Sequence, residues 1–250
     1  MSRHTSSNTL SSAGRLKGKV ALVTGATRGI GLAISRALAA KGCDLVLTGR
    51  DETALAHIGR ELRSKKIQTV VHLCDVSDPT SVDALFESVR GQFKRLDILI
   101  NNAGIAHKNL PVERLPYRVW KEVIETNLDG MFLVTQGALT FMKRGGTIVN
   151  NLSIAANRVF TGSVAYNASK HGALGLTNTL REELRPKGIR VIGLLPGATD
   201  TEIWKTLWPE APRRKMLAPT IVAQAVVSAI LLAANATVEN LEILPSAGAL

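Results

Sequence analysis

Tyr166 and Lys170 stand four apart in Tyr-Asn-Ala-Ser-Lys, the start of a helix-patterned stretch that runs to about Leu184. Residues at i and i+4 share a helix face, which brings the Lys170 ammonium near the Tyr166 phenol. A positive charge that close favours phenolate and moves a pKa near 10 toward the range of a working acid/base. On a solvated helix face the same pair would mean nothing. Its weight comes from its surroundings. Ser153 lies thirteen residues earlier, just past the apolar run Gly-Thr-Ile-Val-Asn-Asn. Ligands bind at the carboxyl ends of strands in open α/β sheets, which is where Ser153 falls.

A second constellation sits near the start of the chain. The run Val20–Thr24 passes directly into Gly25-Ala26-Thr27-Arg28-Gly29-Ile30-Gly31. A glycine-rich turn between strand and helix lets backbone N–H groups approach a pyrophosphate, and the helix dipole favours the anion. The spacing is Gly-x3-Gly-x-Gly, and an ordinary tight turn is the competing reading. The next run ends Thr48-Gly49-Arg50, where an NAD site usually places a carboxylate for the ribose 2′-hydroxyl. Arg50, with Arg28 from the turn, suits a 2′-phosphate bound bidentately, so the expected cofactor is NADP(H) rather than NAD. Asp51 is the rival acid, although its place fits the N-cap of the helix that follows.

Apolar runs at 20–24, 44–48, 69–73, 97–100, 146–151, 190–195 and 241–244 position these groups. Continuous runs of this length suit strands covered on both faces. Helix-spaced sets lie between them: Ile30, Ala33, Ile34, Ala37 and Leu38, then Leu55, Ile58 and Leu62. Asp78 followed by Pro79 marks another helix start. The alternation predicts a single doubly wound Rossmann-type α/β domain over residues 16–250. Its seven-stranded sheet is expected to be mostly parallel, with helices on both faces. Asp75-Val76 and Asn101-Asn102-Ala103-Gly104 then fall at the same carboxyl edge as Ser153.

The 250 residues carry 31 Lys and Arg against 20 Asp and Glu, a formal charge of +11. Such a balance suggests a polyanion partner, but much of it lies before Asp51, where Asp44 is the single acid. Basic clusters interleaved with aromatics are missing, which argues against a nucleic-acid binder. Cys43 and Cys74 lack metal or disulfide spacing, and no metal site is expected among the five His. A reducing, cytoplasmic setting follows, and no apolar run is long enough for a membrane helix. Residues 1–15, rich in Ser and free of acids, read as a disordered leader; an organelle-targeting segment is the alternative.

Taken together in order and spacing, TGATRGIG (24–31), Asp75-Val76, NNAG (101–104), Asn127, Ser153, YNASK (166–170) and Pro196-Gly197 resemble the short-chain dehydrogenase/reductase family. The likeness runs from about Val20 to Pro245. It implies that Tyr166 exchanges a proton with a carbonyl or alcohol oxygen. Lys170 would lower the Tyr166 pKa and hold the nicotinamide ribose, and Ser153 would stabilise the developing oxyanion. Asn127 would anchor a relay water, although it could simply cap or kink its helix. The turn residues Gly25, Thr27, Arg28, Gly29, Ile30 and Gly31, with Arg50, would hold the phosphates. Asp75 and Val76 would flank the adenine, Asn102, Ala103 and Gly104 would line the cleft, and Pro196, Gly197 and Thr201 would border the nicotinamide. Pro196-Gly197 could equally be a plain turn.

The implied activity is NADP(H)-dependent interconversion of a small-molecule carbonyl and a secondary alcohol. A 3-oxoacyl-carrier-protein reductase and a catalytically idle nucleotide-binding regulator are the alternatives. The family also implies a homodimer or homotetramer packed through helices near 114–140 and 165–185. Around Ser153 the chain reads NNLSIAAN, where the family more often has a second Ser and a Gly. Residues 200–218, with Trp204, Leu207, Trp208 and Met216 beside Arg213, Arg214 and Lys215, form either a lid over substrate or a segment packed into the core or an interface.

Overall fold

The structure is a computed structural model that describes residues 16–63 and 65–248; the leader expected at 1–15 lies outside them. Seven strands alternate with helices: β1 (Val20–Thr24), α1 (Gly29–Ala39), β2 (Asp44–Gly49), α2 (Glu52–Arg63), β3 (Thr69–Leu73), α3 (Pro79–Gln92) and β4 (Leu96–Asn101). Then come α4 (Tyr117–Ile124), α5 (Gly130–Leu139), β5 (Met142–Asn151), α6 (Val164–Leu184), β6 (Arg190–Pro196), α7 (Trp204–Leu207), α8 (Pro219–Ile230) and β7 (Asn240–Ile243). The sheet order is β3-β2-β1-β4-β5-β6-β7. Every strand pair is parallel, so the sheet is wholly rather than mostly parallel. The strand order reverses between β1 and β4, and a cleft opens at their carboxyl ends.

The period-two alternation of the strands divides the core into two layers. Ala21, Val23, Leu45, Leu47, Ile98 and Ile100 face α1, α2 and α8 through Ile34, Leu38, Leu55, Ile58, Leu62, Val222 and Val226. Val20, Leu22, Val46, Leu99 and Ile148 face α3, α5 and α6 through Leu85, Phe86, Val89, Val134, Leu180 and Leu184. The Asp caps form as their spacing predicts. Asp51 Oδ1 accepts from Ala54 N–H at 2.9 Å, and Asp78 Oδ1 accepts from Thr80 N–H at 3.1 Å, with Pro79 in the first turn. β5 begins earlier than its apolar run, because Met142 pairs with Leu96 across a register shift before Thr147 meets Ile98.

A polar thread runs through the second layer. Asn101 Nδ2 donates to Thr135 Oγ1 at 2.8 Å and to Asn150 Oδ1 at 2.9 Å, and Asn150 Nδ2 donates to Thr177 Oγ1 at 3.0 Å. These buried side chains join β4, β5, α5 and α6 at the level of the cleft. Cys43 and Cys74 are free and buried; burial pushes the Cys43 thiol up to about 12.

Candidate active site

The turn after β1 folds as its glycines require. Gly25 and Gly29 hold φ of +60° and +55°, the left-handed region that side chains rarely adopt. A Cβ on Gly31 would stand 2.3 Å from Asn102 Nδ2 and 2.4 Å from the Gly25 carbonyl oxygen. Close approach, not conformation, is what requires a glycine there. Arg28 occupies the N-cap of α1 in an extended conformation without a side-chain capping bond. The first-turn N–H groups are therefore left for a ligand.

Asn102 braces this turn. Its Nδ2 donates to the carbonyls of Thr24 at 2.9 Å and Gly25 at 3.0 Å, while its Oδ1 accepts from Asn151 Nδ2 at 2.8 Å. Thr24 Oγ1 in turn accepts from the N–H groups of Asn102 and Ala103. The ends of β1, β4 and β5 are thereby locked together beneath the cleft.

A cavity of about 1080 Å³ extends from the turn across the carboxyl edge. Of the residues expected at the site, Gly25, Thr27, Arg28, Gly29, Ile30, Arg50, Asp75, Val76, Asn102, Ala103 and Gly104 line it. So do Ser153, Tyr166, Lys170, Pro196, Gly197 and Thr201. Gly31 and Asn127 stand behind the wall. Arg50 Nη1 reaches Asp75 Oδ2 at 3.5 Å, a loose contact between half-exposed groups that leaves guanidinium N–H groups open. Burial pushes the Asp75 carboxyl up, but the hydrogen bonds from Ser77 and the Arg50 charge outweigh it and hold it below the usual range. Asp51 also lines the cavity, with Oδ1 engaged in capping α2.

At the other end, α6 presents Tyr166 and Lys170 one turn apart. Lys170 is buried, its Nζ donating to the Asn151 carbonyl at 2.9 Å. Loss of water lowers its pKa to about 8. The Tyr166 phenol is pushed up by burial, which exceeds the opposing hydrogen bond with Ser153. Burial thus opposes the lowering of the Tyr166 pKa that the resemblance assigns to Lys170. The ammonium is itself desolvated and turned to the Asn151 carbonyl. Ser153 Oγ also accepts from Ala155 N–H at 3.1 Å, which fixes its rotamer.

Asn127 neither caps nor ends a helix. It lies in a π-helical turn, Glu125–Asp129, between α4 and α5, a distortion that often accompanies functional positions. Its Nδ2 donates to the Ile105 carbonyl at 2.9 Å and to Ser169 Oγ at 3.0 Å, and its Oδ1 accepts from Ile105 N–H at 2.8 Å. One acceptor lone pair is left on Oδ1. Asn127 Oδ1 and Lys170 Nζ both lie close to Gly104, where an added Cβ would stand 3.3 Å from the former and 3.7 Å from the latter.

The 200–218 segment turns large apolar groups to the cavity: Trp204, Leu207 and Trp208 line it. Thr199 pairs with Leu217 in an isolated parallel bridge, so both roots of the segment are tied. Trp204 Nε1 donates to the Thr199 carbonyl at 2.8 Å. His107 is buried with Nδ1 beside the Lys108 carbonyl, and the nearby cavity wall is made by Ala106 and Asn109 instead. Asn151 and Asn109 are site residues without a motif to announce them. The available signal for Asn151 was its place two residues before Ser153 at a strand end. Among the described residues no group of three His, Cys, Asp or Glu could hold a metal, and no helix is long and apolar enough to cross a membrane.

The family model described as short chain dehydrogenase matches residues 19–212. D-threitol dehydrogenase of Mycolicibacterium smegmatis is 38% identical over 210 residues, 82% of this chain and 80% of that protein. The 3-oxoacyl-acyl-carrier-protein reductase of Escherichia coli is 35% identical over 193 residues, 76% of this chain and 78% of the relative. Among solved structures, an alcohol dehydrogenase from the archaeon Thermococcus sibiricus, complexed with 5-hydroxy-NADP, superposes with a TM-score of 0.85. It is 32% identical, over 91% of this chain and 97% of that one. The chain belongs to the short-chain dehydrogenase family.

Proposed function

We propose that the protein is an NADP(H)-dependent oxidoreductase that interconverts a carbonyl and a secondary alcohol. The observation that carries this reading is the meeting of Ser153, Tyr166 and Lys170 on one wall of the cavity whose opposite end is the glycine turn. The cavity fits a dinucleotide. The positive-φ glycines leave no side chain in the turn, and the first turn of α1 offers free N–H groups.

Arg28 and Arg50 favour the 2′-phosphorylated form, because Asp51, the rival for a ribose hydroxyl, is engaged as the cap of α2. When bound, NADPH supplies the hydride taken up by the carbonyl carbon. Tyr166 donates its phenolic proton to the carbonyl oxygen, and Ser153 donates a hydrogen bond to the same oxygen as charge builds there. Lys170 holds positive charge beside the phenol, which favours the phenolate left once the proton has been given up. Asn127 fixes the Ile105 backbone and lies close to Gly104. The direction is reversible, with Tyr166 accepting the proton in oxidation.

A homo-oligomer built through α4, α5 and α6 belongs to the same reading, supported by Phe132 of α5, 47% exposed. The deciding experiment is NADPH and NADH oxidation measured in parallel against a panel of ketones and acyl thioesters. Carbonyl-dependent oxidation of NADPH ahead of NADH supports the proposal; none with any carbonyl overturns it.

A further inference from the structure

We propose that the substrate half of the cavity is built for an uncharged ketone, or its alcohol, bearing a bulky apolar group, and that it selects against carboxylate and phosphate substrates. The inference rests on reading the cavity as a carbonyl–alcohol site, and it adds the chemical class of the substrate.

The wall beyond Ser153 and Tyr166 combines Val159 and Phe160, from the segment between those two residues, with Ile203, Leu207 and Trp208. Val159 is 76% exposed and Trp208 43% exposed. Large apolar side chains left facing water around a cleft are covered when an apolar ligand enters.

Several polar groups of this half are committed to partners within the protein. Ser163 Oγ donates to Asn109 Oδ1 at 2.6 Å, Trp204 Nε1 to the Thr199 carbonyl at 2.8 Å, and Thr199 Oγ1 to the Gly197 carbonyl at 2.9 Å. The cations are committed as well. Lys205 pairs with Glu202 at 2.5 Å, Arg213 with Asp200 at 2.6 Å, and Arg158 with Glu242 at 3.0 Å. Glu122 adds a carboxylate at the exposed rim, where Thr161 and Thr206 also lie. Lys170 belongs to the reacting centre, and Arg28 and Arg50 to the other end of the cleft. An anionic substrate would therefore be desolvated with no unpaired cation among the described residues that line this half, while an apolar ring finds a matching wall.

Acetophenone and benzoylformate test this directly, since they share a ring and a ketone and differ by a methyl against a carboxylate. With NADPH, kcat/KM for acetophenone should exceed that for benzoylformate by about 10-fold or more. Trp208→Ala should weaken acetophenone binding about 10-fold, measured by ligand-observed NMR on the NADPH-loaded Tyr166→Phe protein. The same change should leave the small ketone acetone within about 2-fold. Equal or better use of benzoylformate, or acetophenone binding indifferent to Trp208→Ala, overturns the proposal while leaving the oxidoreductase reading intact. Tight NADPH binding without reduction of any ketone overturns both.

Discussion

The Lys170 ammonium stands 5.6 Å from the centroid of the Tyr166 ring and donates one of its three N–H groups to the Asn151 carbonyl. Asn151 donates through its side chain to Asn102, and Asn102 holds the Thr24 and Gly25 carbonyls. A short chain of hydrogen bonds thus joins the glycine turn to α6. Burial raises the pKa of the Tyr166 phenol by more than the opposing hydrogen bond with Ser153 lowers it.

Tyr166→Phe removes the proposed proton donor and keeps the ring. Turnover should fall about 10²- to 10⁴-fold, the usual contribution of a positioned acid/base, while NADPH affinity measured by fluorescence titration changes little. Activity within a few fold of the parent would assign proton transfer to another group.

Lys170 gives a pH signature. Its folded pKa of about 8 lies below the ordinary lysine value of 10.5, so the unfolded chain holds the extra proton between those values. Stability contributed at this position therefore rises with pH from about 8 to 10.5, and below 8 the full cost of burying the charge is present. That gap corresponds to roughly 3 kcal/mol. Lys170→Met should abolish turnover yet raise stability at neutral pH by about 2 kcal/mol, less than the full gap because the Asn151 carbonyl loses its donor. Urea titrations at neutral pH and near pH 10 read it out. The stabilisation should shrink at the higher pH; an offset that does not change with pH would refute the buried-charge account.

Arg50→Glu places a carboxylate where a 2′-phosphate is expected. The kcat/KM for NADPH should drop about 10- to 100-fold, in line with losing a charge-assisted hydrogen bond. NADH use should hold or improve. Parallel losses for both cofactors would instead mean that Arg50 acts through Asp75 on the adenine end of the cleft.

Much of this was legible in the chain. β1 and β3 form where their apolar runs lie, and the Asp51 and Asp78 caps follow from side-chain chemistry that needs only local sequence. β5 was read short because Lys143, Arg144 and Gly145 are exposed and carry no apolar signal; their pairing comes from β4 next door. The π-helical turn around Asn127 was not legible, since nothing in Glu-Thr-Asn-Leu-Asp distinguishes it from α-helix. Spacing also cannot say where a long side chain turns. Lys170 sits on the predicted face, but its ammonium chooses a carbonyl from a strand. The resemblance places Asn102 in the cleft wall, where it also braces the turn, but nothing in the sequence separates its neighbour Asn101, which belongs to the buried thread through Thr135.

Gly31 tests that brace. Gly31→Ala puts a methyl 2.3 Å from Asn102 Nδ2 and 2.4 Å from the Gly25 carbonyl oxygen, so the amide must leave or the turn must shift. Overpacking of this kind costs about 1–3 kcal/mol. Because Asn102 links to Asn151, the displacement should reach Lys170 as well as the phosphate end. The expected result is a lower urea midpoint, a raised KM for NADPH and a reduced kcat together. Gly91→Ala is the control: Gly91 lies in α3 with nothing within 4 Å of an added Cβ. That change should stabilise the helix by about 0.5 kcal/mol and leave both kinetic constants alone. If Gly31→Ala raised KM while kcat stayed at the parent value, the turn and α6 would be mechanically independent despite the hydrogen bonds that join them.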